Sequence, residues 1–122
     1  MKKFLFAVLI AALLVAGCTQ APGNGGNDSN GPPAANEVRI SGFAFVPQTM
    51  TIKKGESVTW MNEDSALHDV ASNPHPTHTD LPGLRSGTLQ KGQSYTFRFD
   101  QAGNWGYHCH LHPSMTGTVV VE

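Results

Sequence analysis

The sequence predicts an all-β protein, a small antiparallel β-sandwich, and three observations lead there. From Glu37 to Glu122, short runs of alternating or β-branched residues are separated by Gly, Pro, Asn and Asp. No stretch in that segment sustains apolar residues at a helical period. Tyr95, Phe97 and Phe99 alternate with Thr96, Arg98 and Asp100, the strongest strand signal in the chain. A sheet with one apolar face needs a second layer to cover it, and the segment is short but long enough for a compact domain of that kind.

Taken in order, Val38-Arg39-Ile40 alternates inward and outward, and Gly42 permits a bend or bulge before Phe43-Ala44-Phe45. Pro47 ends that run because it cannot donate to a ladder. Met50-Thr51-Ile52 leads into a turn at Lys53-Lys54-Gly55. Ser57 to Trp60 is rich in β formers and puts Val58 and Trp60 on one face, with Trp60 in the core. Asn62-Glu63-Asp64-Ser65 is turn chemistry that delivers Leu67, His68, Asp69 and Val70 to the end of the sheet. Ala71 to Gly87 is a long loop with three prolines that carries His75 and His78. Leu89 to Gln93 forms another turn, and Asp100-Gln101-Ala102-Gly103 turns the chain into Trp105 to Cys109. Thr116 to Val121 closes the fold as a strand expected to be buried on both faces near its end.

The amino terminus belongs to a different kind of sequence. Lys2 and Lys3 precede an unbroken apolar run, Phe4 to Ala16, which is short for a bilayer span and reads as a secretory signal over residues 1–17. Val15-Ala16-Gly17-Cys18 resembles the lipobox of bacterial lipoproteins, which implies a lipid on Cys18 and a chain secreted across the cytoplasmic membrane, then anchored at the periplasmic or extracytoplasmic face of the cell envelope. From Thr19 to Asn36 the chain is mostly Gly, Asn, Pro, Ala and Ser. Residues 18–36 therefore read as a lipid-anchored flexible linker, and residues 37–122 as the folded domain.

Removing Lys2 and Lys3 leaves 6 basic against 9 acidic side chains, a mildly acidic mature chain with no basic stripe to hold nucleic acid. With Cys18 acylated, Cys109 is the one thiol left, so an intramolecular disulfide is excluded. A buried inert cysteine is the alternative to a ligand. Its neighbours, however, are poor core residues and good metal donors.

Those neighbours form the stretch Tyr107-His-Cys-His-Leu-His-Pro-Ser-Met115. Cys109, His112 and Met115 lie three residues apart, so one short loop offers a thiolate, an imidazole and a thioether. A blue-copper centre uses these ligand types, with two imidazoles and one thiolate in a near-trigonal plane and a weak axial sulfur. The second imidazole must come from elsewhere, and His68 is the choice. Alone, a histidine between Leu67 and Val70 is more often a buried, hydrogen-bonded side chain.

The whole of Glu37 to Glu122 resembles the cupredoxins, the type 1 blue-copper family, and is most similar to their amicyanin and plastocyanin types. The resemblance rests on Phe43-x-Phe45-x-Pro47, Lys54-Gly55, Val58-x-Trp60-x-Asn62-x-Asp64, His68, Gly92 and Tyr107-x-Cys109-x-x-His112-x-x-Met115-x-Gly117. The Cys-x-x-His-x-x-Met spacing is the shorter, amicyanin-like one. The resemblance implies a Greek-key sandwich and one type 1 copper per chain held by His68, Cys109, His112 and axially by Met115. It also implies a monomer that is not an enzyme and that passes single electrons between transient redox-protein partners, a donor and an acceptor. Copper trafficking, with His75, His78 and His110 as an exposed transfer path, is the alternative.

Three features depart from the family pattern. Asp69 stands where relatives often have Asn, and a carboxylate accepts backbone N–H bonds but cannot donate, which puts the tie between the ligand loops in question. The Ala71 to Gly87 loop is long and histidine-rich, readable as a solvated loop or as an accessory metal site. Finally, His108-Cys109-His110 resembles the His-Cys-His of multicopper oxidases, and alternation puts His108 and His110 on the side opposite Cys109 if the strand persists. Further His-x-His pairs, which those oxidases need, are missing outside this stretch.

Overall fold

The computed structural model describes residues 35–122. The signal, Cys18 and nearly all of the linker lie outside the described residues. Among the described residues eight strands follow one another: β1 (Glu37–Ser41), β2 (Ala44–Val46), β3 (Thr49–Ile52), β4 (Ser57–Asn62), β5 (Ala71–Ser72), β6 (Ser94–Arg98), β7 (Gly103–His108) and β8 (Thr116–Val121). They form two four-stranded sheets, ordered β2-β1-β4-β6 and β3-β8-β7-β5. From β2 to β7 successive strands alternate between the sheets, so the chain wraps the core rather than building one layer at a time.

Each sheet is mixed. The antiparallel pairs expected from the sequence are joined by one parallel pair in each, β1 with β4 and β3 with β8. Parallel neighbours need a long crossover between them, and the intervening strands of the opposite sheet supply it.

Alternation sets the core. Val38, Ile40, Val58 and Trp60 from one sheet face Ile52, Tyr107, Val119 and Val121 from the other, all buried. Trp60 is fully buried, with its ring 5.3 Å from that of Tyr107 and 6.3 Å from that of Phe99. A tryptophan in that position contributes several kcal/mol, and truncating it to alanine would cost about 3–5 kcal/mol.

Two strands differ in detail from the sequence reading. Tyr95 and Phe97 are only half-buried because β6 is an edge strand, and Phe99 completes the core beyond its end. β8 is central and its burial alternates, with Val119 and Val121 inside and Val120 half-exposed, so it is not buried on both faces. At the amino end Asn36, the last residue of the expected linker, is already bonded into the domain: its amide donates to Glu56 Oε2 at 2.9 Å and its carbonyl accepts from Thr59 N–H at 2.9 Å.

The bend at Gly42 is a two-residue hairpin turn joining β1 to β2. Ser41 pairs with Ala44, and both Gly42 and Phe43 have positive φ, 60° and 57°. Such a turn matches the twist of the strands, and glycine adopts it freely. A phenylalanine there is strained, and something must hold it.

Candidate metal centre

What holds it is Asp64. Its carboxylate accepts the N–H of Gly42 at 2.8 Å and of Phe43 at 2.9 Å, and it also accepts His68 Nε2–H at 2.9 Å. Burial by itself would raise the Asp64 pKa, but the two backbone donors and the imidazole together bring it below the ordinary value. The turn carrying Asp64 is fixed by buried Asn62 at the end of β4. Asn62 accepts Asp64 N–H and donates to the carbonyls of Ala66 and Leu89, each at 2.9 Å.

With its outer nitrogen on a carboxylate, buried His68 presents Nδ1 to the Cys109 sulfur at 3.8 Å. His112 presents its Nδ1 to the same sulfur at 3.6 Å. The β7–β8 loop is closed by Cys109 N–H to Met115 O at 3.0 Å, His112 N–H to Cys109 O at 3.2 Å and Met115 N–H to His112 O at 2.9 Å. Met115, at the end of that loop, is buried. The sequence-predicted donors His68, Cys109 and His112 thus meet at one end of the sandwich, with Met115 in the loop that closes over them.

The spacing of these atoms fits a metal. An ion about 2.0–2.1 Å from each imidazole nitrogen and about 2.3 Å from a thiolate, at tetrahedral to trigonal angles, gives S···N edges of roughly 3.5–3.8 Å. The two observed edges fall in that interval. A set of two neutral imidazoles, a thiolate and a thioether suits copper in both of its common oxidation states.

The surroundings tune the sulfur. Burial pushes the Cys109 thiol above its ordinary pKa, opposed by backbone N–H groups, chiefly that of Asp69, which reaches Sγ at 3.4 Å. Asp69 also resolves the question raised by its identity. Its carboxylate accepts the N–H of His110 while its own N–H donates to the sulfur, so the loops are tied without any donation from the side chain.

Phe43 completes the end. Its ring stands edge-on to both His68 and His112, at 5.0 Å and 86° in each case, while 52% of the residue remains exposed. Leu67 and Leu111, each next in sequence to one of these histidines, are exposed to 47% and 46%. From the sequence, Asp64 reads as turn chemistry and part of one motif, and Phe43 as the start of a strand run and part of another; neither is marked as a residue that supports the site. Adjacent turn residues at Gly42-Phe43 were the available signal.

The other histidines form a partly buried cluster, with only His75 exposed. His75 and His78 from the long loop converge on His108 and His110, and His78 and His108 are buried. Burial, then the neighbouring His78 and His75, keep the His108 pKa below its ordinary value.

Comparison with known proteins agrees with this geometry. Residues 33–122 match the family model described as copper binding proteins of the plastocyanin/azurin family. Amicyanin-alpha of Methylorubrum extorquens is 32% identical over 128 residues, covering 100% of both chains. Amicyanin of Paracoccus versutus is 35% identical over 91 residues, covering 75% of this chain and 67% of the relative. A solved structure of a proline-to-alanine mutant of amicyanin in its oxidised state superposes with a TM-score of 0.63 at 33% identity, covering 72% of this chain and 82% of that one. The chain belongs to the plastocyanin/azurin family of copper-binding proteins.

Proposed function

We propose that this cupredoxin, a copper electron carrier, works on the extracytoplasmic side of a membrane, with His68, Cys109, His112 and Met115 as the ligands of one type 1 copper. The observation that supports this ligand set most directly is the closure of the His68 and His112 nitrogens on the Cys109 sulfur at 3.8 and 3.6 Å, with the far side of His68 fixed by Asp64.

Copper in such a site supplies a one-electron couple between Cu(I) and Cu(II). The chain's own residues do the rest. Asp64 keeps the His68 ring from turning and, in the neutral ring, holds the proton on Nε2 so that the lone pair lies on Nδ1. The Asp69 N–H draws on the negative charge of the sulfur. Phe43 screens both imidazoles from water. Two packed sheets and a loop closed by its own hydrogen bonds resist movement, so little reorganisation opposes electron transfer. Four protein donors leave no open position and no free general base, which favours a carrier over an enzyme.

Phe43, Leu67 and Leu111 form an apolar rim at the His112 edge, suited to brief docking with a redox partner by a monomeric carrier. Residues 1–17 serve as the signal, a lipid on Cys18 as the anchor and the expected linker up to residue 35 as the tether, since Asn36 is bonded into the domain.

The optical and electron-paramagnetic spectra of the copper-loaded protein test the centre. Blue or green colour, bleached by ascorbate and lost in Cys109→Ser, is expected, and a colourless copper-loaded wild type would defeat the reading. For the anchor, Cys18→Ser should move the protein from the membrane fraction to the soluble one. Retention of that variant in membranes would remove the lipid from the account.

A further inference from the structure

We propose that His75, His78, His108 and His110 form a second metal site, an all-imidazole pocket for one divalent transition-metal ion, Cu(II) ahead of Zn(II). None of the four is a ligand in the carrier reading, and the inference goes beyond that reading without depending on it.

Four rings from two separate segments converge, with one nitrogen of each within 4.8 Å of the others. Two of the rings are fixed from behind. His78 Nδ1–H donates to the Ser72 carbonyl at 2.8 Å, and His108 Nδ1–H donates to Asn73 Oδ1 at 2.8 Å. In the neutral ring this leaves Nε2 of each with a lone pair, and both lone pairs face the cluster. His78 Nε2 lies 2.9 Å from His110 Nδ1, and His108 Nε2 lies 3.3 Å from His75 Nδ1. Outer-nitrogen anchoring of this kind is how proteins orient metal-binding imidazoles.

These two separations fit neighbouring nitrogens around one ion. Nitrogens about 2.0–2.1 Å from a metal stand roughly 2.9 Å apart at right angles and roughly 3.3 Å apart at tetrahedral angles. A pair of N–H···N hydrogen bonds would account for the two short distances. It would not call for one nitrogen of all four rings to gather within 4.8 Å, with the buried two held from behind through Nδ1. On binding, the Nδ1 protons of His75 and His110 move to their Nε2 atoms through solvent, and all four rings stay neutral.

The scaffold is built around this arrangement. The loop is closed by His78 N–H to Pro74 O at 2.7 Å, Asp80 N–H to Asn73 O at 2.9 Å and Leu81 N–H to Ser72 Oγ at 2.8 Å. His78 has φ of 54°, a strained choice for histidine, of the sort that gathers at binding sites. The Asn73 amide that holds His108 occupies the space where a Cβ on residue 106 would stand, so Gly106 makes room for it. His75 is exposed and gives ions a way in. Imidazole donors without thiolate or carboxylate suit divalent copper, nickel and zinc, and copper binds tightest in the general order of affinities. His108 and His110 flank Cys109, so a stretch of backbone joins this ion to the first centre.

The test is a titration of metal-free full-length protein with Cu(II) and, separately, Zn(II), read by metal content and electron-paramagnetic resonance. Wild type should hold two copper ions, the second giving a signal with wide copper hyperfine splitting and nitrogen couplings. Cys109→Ser should lose the colour of the first centre and keep the second signal, which separates failure of one site from failure of the other. His75→Ala/His78→Ala should hold one copper with the first centre's colour intact. Because His78 is buried, Asn73→Ala and His75→Gln serve as milder variants, expected to weaken the second ion about 10- to 100-fold. A wild type that saturates at one ion, or a double variant that keeps the second with unchanged affinity, would overturn the site. Displacement of bound Cu(II) by equimolar Zn(II) would overturn the choice of metal.

Discussion

Replacing Asp64 with alanine should weaken the fold and raise the redox potential together, because one carboxylate serves both the β1–β2 turn and His68. It accepts three hydrogen bonds, from Gly42 and Phe43 N–H and from His68 Nε2–H, at 2.8, 2.9 and 2.9 Å. The side chain is 15% exposed, so each bond is taken at about 1–1.5 kcal/mol, toward the low end for an ionised acceptor. Together they amount to about 3–4 kcal/mol. Once freed, Phe43 can leave the left-handed region, which returns about 1–2 kcal/mol. The net loss is about 2 kcal/mol, or roughly 8–16 °C in Tm for a domain of this size.

This stability is linked to pH. The folded-state pKa of Asp64 is lowered, so its contribution is fully present above the ordinary carboxylate value and is lost as pH falls through the lowered one. The gap between wild type and variant should therefore close in acid. His68, without its carboxylate, becomes a weaker donor, and a loss of about 10- to 100-fold in affinity falling mainly on Cu(II) corresponds to a rise of about 60–120 mV. Thermal melts across pH and voltammetry of the copper-loaded protein give both numbers. A variant that matched wild type in both melting temperature and potential would refute the assignment of Asp64 as the shared anchor.

Phe43 reverses the usual preference for alanine over glycine: with φ at 57°, Phe43→Gly should be about 1 kcal/mol more stable than Phe43→Ala, and denaturant melts that rank them the other way would show the turn is not strained. Burial raises the Cys109 thiol, and copper takes the thiolate, so apparent copper affinity should climb about tenfold per pH unit below the thiol pKa, as measured by competition with a chelator; a flat profile would mean that the thiolate is already formed. Leu111→Glu places an acidic side chain on the apolar rim, and electron self-exchange between two copies, followed by NMR line broadening, should slow about tenfold or more while the potential stays fixed; an unchanged rate would put the docking face elsewhere.

The strands were legible because their signals are local. Alternation over Val38 to Ile40 and Val58 to Trp60, broken by turn residues, gives a half-buried strand whatever lies across the core. Errors came where position in the sheet overrides pattern. Tyr95 and Phe97 alternate as well as any core pair, yet edge placement leaves them half-exposed, and the valines of β8 read as doubly buried although the strand alternates. Neighbour identity, which decides both, is not written in a strand's own residues.

The same division holds at the metal centre. Cys109, His112 and Met115 could be read from the chain because a single loop carries them, and spacing along a loop limits distance in space. Alternation would set His108 and His110 opposite Cys109 only if the strand persisted; β7 ends at His108, and it is the loop beyond it that brings His110 to His75 and His78. Only the folded chain could show that Asp64 holds both a strained turn and an imidazole, that Phe43 covers two histidines, and that Asn73 fits over Gly106 to orient His108. Donor chemistry is a property of residue type and survives in a string of letters. The direction in which a ring nitrogen points depends on loops brought together from distant parts of the chain, and that is set by packing.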